Sequence, residues 1–141
     1  MGEMSRPIRE VATAAAVASI LSGGPSTAHA VLTGRGVFDA ARAAGTLLPG
    51  RRDRPGLVAG AVVHVAVSAF WGVVLGRCLP RRHTAAWGAV AGFAIAAASL
   101  PTVGRRHPAI TALPQVPQWL DNVAFGALVG WQLSNADAAA S

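Results

Sequence analysis

Residues 57–79 read LVAGAVVHVAVSAFWGVVLGRCL, twenty residues without a charge before Arg77. A run this long has no place in a small soluble domain. At ~1.5 Å per helical residue it covers the ~30 Å hydrocarbon core of a bilayer. Its polar groups are His64, Ser68 and, past the glycine-rich end, Arg77 and Cys78. This segment is the anchor from which the rest of the chain is read.

Moving outward, three more stretches have the same character. Residues 11–32, VATAAAVASILSGGPSTAHAVL, contain no Asp, Glu, Lys or Arg. Residues 84–103 and 118–134 complete the set. The expectation is an all-α integral membrane protein, one transmembrane domain over 1–141, with four spans near 11–32, 57–79, 84–103 and 118–134. Composition agrees: of 141 residues 52% are hydrophobic and 13% charged, against ~25% charged in an ordinary soluble domain, and the mean hydropathy is +0.45. A soluble globule, a disordered chain and a coiled coil are all poorly served by such a sequence.

The first span is expected to be kinked or broken, because Gly23, Gly24 and Pro25 sit in its middle. Proline lacks a backbone donor and crowds the carbonyl four residues back, that of Leu21. In lipid the freed groups need partners from neighbouring helices, hydroxyls or water. Ser22, Ser26 and Thr27 are hydroxyls nearby. The same stretch admits another reading: a basic leader, an apolar run and Ala28-His29-Ala30 mimic a cleavable signal peptide. Against cleavage stand Glu3 and Glu10 in the leader and an alanine-rich apolar core.

Between the first two spans lies a polar connection with five arginines. Within it VFDAARAAGTLL, residues 37–48, places apolar residues at 37, 38, 41, 44, 47 and 48, near helical period. Pro49-Gly50 ends it. This predicts a short interfacial helix, or equally one packed on the end of the bundle. RRDRPG, residues 51–56, follows as a solvated turn. RRHPAITALPQVPQ, residues 105–118, has three prolines and excludes one regular helix throughout.

Small residues recur at four-residue spacing: Gly56 and Gly60, Gly72 and Gly76, Gly88 and Gly92 (followed by Ala96), Gly126 and Gly130. Between helices in lipid the hydrophobic drive is weak, so close backbone approach through such faces supplies much of the attraction. These glycines are expected to face other helices, within one chain or between copies. Val90 and Val129 are the comparison positions, if those face lipid. Trp87, Trp119 and Trp131 fall at interface depths, and Trp71 lies deeper as a packing residue.

All twelve basic residues are arginine and the net charge is +6. They fall between apolar runs without accompanying aromatics, as membrane-flanking charge does, and nucleic acid is not an expected partner. With both termini on one side, that side carries five arginines and the other seven, too even a division to fix orientation. Cys78 is the single cysteine, so neither an intrachain disulfide nor a CxxC pair can form. His83 and His107 adjoin arginine pairs and read as interface residues.

Polar groups inside the spans are the site candidates, since burial there is costly. His29 near the end of the first span, His64 in the second, and Asp121 with Asn122 at the start of the fourth fall on one side of the membrane in a four-span chain. An imidazole and a carboxylate at similar depth could pair, relay a proton or hold a cation. The ordinary reading is structural: His29 at the interface, Asp121 in a first helical turn, His64 bonded to a neighbouring helix. No GxSxG, HExxH, P-loop or GxGxxG pattern occurs, and no cofactor or metal is called for. The function classes carried forward are a non-enzymatic structural or partner-binding membrane protein, whose partners are the lipid bilayer and a second copy or another membrane protein, and a small transporter or ion/proton conduit using His29, His64 and Asp121.

The runs SGGPSTAHAVLTGRG, ARAAGTLLP, AVVHVAVSAFWGVVL and RRHPAITALPQVPQWLDNVAFGALVG resemble a family of small, uncharacterised bacterial integral membrane proteins seen mostly in high-GC actinobacteria. The resemblance covers roughly residues 15–133. It implies a multi-span protein of the bacterial cell (inner) membrane and no known activity. The family pattern has Asp-His before the Ala-Phe-Gly segment. Here the pair is Asp121-Asn122, which leaves no histidine at that place.

Overall fold

The computed structural model of the protein describes residues 6–140. The first five residues of the polar leader, with Glu3, and Ser141 lie outside the described residues. Among the described residues the structure is all-helical. The helices are α1 (Ile8–Leu21), α2 (Gly24–Thr33), α3 (Asp39–Ala44), α4 (Leu57–Cys78), α5 (Thr84–Gly104), α6 (Pro108–Thr111) and α7 (Gln115–Ala139).

Two of them, α4 with 22 residues and α5 with 21, are long and apolar enough to cross a membrane. The stretch 11–32 is two helices, α1 of 14 residues and α2 of 10, each short of a ~30 Å core by itself. The expected break falls at Ser22-Gly23, just before Pro25. Helix α7 runs 25 residues, beyond both ends of 118–134. It has the length to span, but Asp121, Asn122, Gln132, Asn135 and Asp137 dilute its apolar character. Pro117 is accommodated in its first turn, where a missing N–H costs little.

Local chemistry sets the ends. Gly34 closes α2 in the left-handed region at φ 68°. Its N–H donates to Val31 O and that of Arg35 to Ala30 O, the paired bonds of a Schellman motif. The amphipathic segment 37–48 forms α3 and a 3-10 turn, Gly45–Leu47. These pack on the start of α4: Gly56 N–H donates to Arg42 O at 3.1 Å, and a Cβ at Gly60 would collide with the Ala41 carbonyl. Phe38 and Val37 stay exposed at this end. The short helix is thus docked on the bundle end while showing apolar groups outward.

The long helices pack through the glycines. Gly88 of α5 abuts the Gly126 carbonyl of α7, Gly92 the Asn122 carbonyl, and Gly130 the Thr84 carbonyl. These partners run in opposite directions, so α5 and α7 are antiparallel with backbones in direct contact. Gly72 and Gly76 of α4 receive Ala15 and Val11 of α1, again antiparallel. The small faces are therefore used within one chain. Helix α7 contacts α5 on one side and α1 on the other, and α1 in turn contacts α4. The core gathers Val11, Ala14 and Ala18 of α1, Leu75 of α4, Leu79 just beyond it, Ile95 of α5, and Phe125, Val129 and Leu133 of α7. Val129 is 0% exposed and does not face outward, whereas Val90 is 57% exposed.

Small residues line the direct helix contacts, the core between them holds large apolar side chains, and many further large apolar side chains lie on the exterior. Ala18 and Ala96 are 0% exposed, while Leu32 is 86%, Ile20 80% and Val58 80% exposed. Val62, Val65 and Phe70 of α4, Trp87 and Phe93 of α5, and Leu120 and Trp131 of α7 also point outward. So many exposed large apolar side chains form a surface that a soluble monomer rarely shows.

Candidate functional site

The break between α1 and α2 organises the polar residues of the bundle. The ladder of α1 ends with Ser22 N–H donating to Ala18 O at 2.9 Å. The next carbonyl, that of Ser19, accepts from His64 Nε2–H of α4 at 2.8 Å. Because the acceptor is a carbonyl, this contact fixes the proton on Nε2. On the far side, the first bond of α2 is Thr27 N–H to Gly23 O at 3.0 Å. The N–H one residue earlier, on Ser26, donates to Asp121 Oδ1 of α7 at 3.0 Å. Pro25, between them, has no N–H to satisfy.

His64 and Asp121 thus serve opposite lips of one break. The carboxylate sits at the positive N-terminal end of α2, and the imidazole at the negative C-terminal end of α1, each the favourable sign for that half-helix. Both side chains are aimed at the same break, His64 from α4 and Asp121 from α7. Of the three hydroxyls adjacent to the break, Ser26 bonds back to Gly23 O at 3.3 Å and Ser22 is buried. Thr27 is exposed.

The other two polar candidates go elsewhere. His29 lies one turn beyond Ser26 and lines a small recess with Arg35, Asp39 and Gln118, at the mouth formed by α2, α3 and α7. Asn122 Nδ2 donates to Gln118 O at 2.9 Å, within its own helix. Its backbone carbonyl, not its side chain, meets α5. The structure therefore brings His64 and Asp121 together at the break and leaves His29 and Asn122 apart from it. Among the described residues no group of three His, Cys, Asp or Glu side chains is placed to hold a metal ion.

A second polar cluster went unread in the sequence. Arg6, at the entry to α1, has its side chain 4% exposed. Its Nη2 donates to Asp137 Oδ2 at 3.0 Å, and its Nη1 to the carbonyls of Gly76 (3.2 Å) and Leu79 (2.9 Å) at the end of α4. Arg81 pairs with Asp137 from the other side. The start of α1, the end of α4, the start of α5 and the end of α7 are tied at one end of the bundle. The sequence signal, a lone Asp one turn from the end of a span, was available but had no visible partner.

No protein-family model matches this chain, and neither a curated protein nor a solved structure is similar to it at a significant level.

Proposed function

We propose that the chain is a four-span integral membrane protein of the bacterial cell (inner) membrane, acting as a non-enzymatic structural or partner-binding component. The observation that carries this reading is the apolar exterior: Val58, Val65, Phe70, Val90 and Phe93 face outward on α4 and α5, while glycines bring the helix backbones into contact. Small faces bring backbones together where lipid supplies no hydrophobic drive, and large apolar side chains then meet acyl chains. The tie between Arg6, Arg81 and Asp137 supports a shared side for the entry to α1 and the end of α7. The use of His64 and Asp121 on backbone groups supports a structural role for the polar residues. The resemblance to small actinobacterial multi-span proteins is part of the same proposal.

Topology tests it directly. Reporter fusions at residues 1 and 141 should report the same side, and an impermeant maleimide should reach Cys78, which is exposed at the end of α4, from that side. Fusions reporting opposite sides overturn the four-span reading. A protein released from membranes by alkaline carbonate overturns the membrane reading altogether.

The second reading is a small transporter or ion/proton conduit using His29, His64 and Asp121. The broken first helix favours it, because discontinuous helices with polar groups at their ends are how many transporters build a binding site. It requires that reconstituted protein carry a proton or cation flux that Asp121→Asn abolishes.

A further inference from the structure

We propose that the groove at the end of α5, closed by α6 and the first turns of α7, holds one anionic glycerophospholipid; this rests on the membrane reading above. The phosphate is assigned to Arg105 at the groove's edge, with Arg106 the next residue in the chain, and an acyl chain to the surface running past Trp119 to Phe93. The groove has a volume of about 710 Å³, with Leu100, Pro101, Ala112 and Trp119 as apolar wall and Arg105 and Gln115 at its polar edge. The wall does not stop at the groove. The Trp119 ring lies 5.0 Å from that of Phe93, which is 56% exposed on the outer face of α5. Phe93 and Arg105 are twelve residues apart on one helix, ~18 Å along its axis. A basic mouth therefore opens onto an apolar track that leads toward the middle of the span.

Charge selects the occupant. Arg105 spends its Nε–H on the Pro101 carbonyl at 3.3 Å, and neither Arg105 nor Arg106 forms an ion pair. Among the described residues the ion pairs belong to Arg6 and Arg81 with Asp137 and to Arg42 with Asp39. No carboxylate lines the groove. Arg105 at the groove's edge, followed in sequence by Arg106 and with no ion pair on either among the described residues, suits a phosphate with its several acceptor oxygens. A free phosphate would leave the apolar wall unused, and a zwitterionic lipid would bring its own cation against the arginines. An anionic lipid meets both halves of the groove.

Trp119 is the reporter. With Trp71, Trp87 and Trp131 replaced by Phe, it is the one remaining of four tryptophans. The complementary Trp119→Phe protein gives the same signal by difference where the triple variant does not fold. The protein is reconstituted in phosphatidylcholine vesicles containing a minor share of phosphatidylglycerol, with bromine on the acyl chains of one lipid or the other. Brominated phosphatidylglycerol should quench Trp119 several-fold more than brominated phosphatidylcholine at equal mole fraction. Arg105→Gln with Arg106→Gln should remove most of that several-fold preference, since each basic residue near an anionic surface contributes appreciably. Inorganic phosphate, at ionic strength matched with sodium chloride, should leave the quenching unchanged. Equal quenching by both lipids, an unaffected arginine variant, or competition by phosphate overturns the assignment. Failure of the membrane reading looks different: the exposed Trp87 and Trp131 would then escape quenching by brominated phosphatidylcholine as well.

Discussion

Asp121 Oδ1 accepts the Ser26 N–H at 3.0 Å, joining residues 95 apart in sequence. In water a helix kink of this kind is harmless, since solvent takes the freed N–H and carbonyl groups. In hydrocarbon each unsatisfied group costs several kcal/mol, on the order of its transfer penalty, so the bundle must supply its own partners. Here α7 supplies the acceptor and α4, through His64 and the Ser19 carbonyl at 2.8 Å, the donor. On the four-span reading proposed above, the price of the break between α1 and α2 is two polar side chains on two other helices.

Asp121→Ala should therefore destabilise the protein by ~1 kcal/mol or more, the cost of leaving a half-buried donor unpaired. Asp121→Asn should cost less, because its amide oxygen still accepts. His64→Ala should be unfavourable by a similar amount, and His64→Gln, whose amide donates, should restore part of it. Unfolding of the purified variants in mixed micelles measures each. Asp121→Ala as stable as the wild type would mean that water caps Ser26.

The glycines differ in what a Cβ would meet, and the two extremes make a test. At Gly88, Gly92, Gly126 and Gly130 it would strike a backbone carbonyl of the facing helix, which cannot move aside as a side chain can. Gly92→Ala or Gly126→Ala should already lose stability, and leucine there should cost at least ~1–3 kcal/mol as overpacking. At Gly23 and Gly24 nothing lies within 4 Å, and alanine should be tolerated. Equal stability of Gly92→Ala and Gly24→Ala would remove the close-packing account.

These features were legible in the sequence to different depths. The break at Gly23-Pro25, the short helix near 37–48 and the small-residue faces follow from backbone chemistry that acts locally, and the chain announces them. The rotational phase of each helix does not act locally. Residues around the whole circumference of α4 and α5 are apolar, so periodicity does not say which side faces in, and Val129 of α7 could be set beside Val90 as an outward residue. His64, Asp121 and Asn122 were visible as costly polar groups. That two of them bond to backbone across helices, while Asn122 bonds back to Gln118, depends on that hidden phase. The arrangement in which α7 meets α5, α1 and α4, and α1 meets α4, is likewise a long-range choice that no single segment encodes.

Val129 and Val90 turn that point into a measurement. Val129→Leu adds a methylene to a site with 0% exposure and should destabilise by ~1–3 kcal/mol. Val90→Leu, on a residue 57% exposed, should be nearly silent. Detergent unfolding or steric trapping compares the two. A silent Val129→Leu would mean that the interior of α7 is loosely packed.

Arg6 carries the last prediction, because its guanidinium does work that one charge alone cannot. Nε and Nη2 face Asp137, while Nη1 caps the carbonyls of Gly76 and Leu79, where α4 ends. The negative end of a helix and a carboxylate are thereby neutralised by one planar fork, at a site only 4% exposed. A lysine has a single ammonium and cannot reach both sets, so Arg6→Lys should fail to substitute and should approach Arg6→Gln in its loss. Asp137→Ala leaves Arg6 buried without its counter-charge and should cost on the order of 3 kcal/mol, as broken buried pairs do. Arg81→Gln should cost ~1 kcal/mol or less, because the Arg81 side chain is 44% exposed and its pair is screened. The ranking is checked by unfolding the four single variants side by side. If Arg81→Gln loses as much as Asp137→Ala, then the outer pair, not the buried fork of Arg6, holds this end of the bundle together.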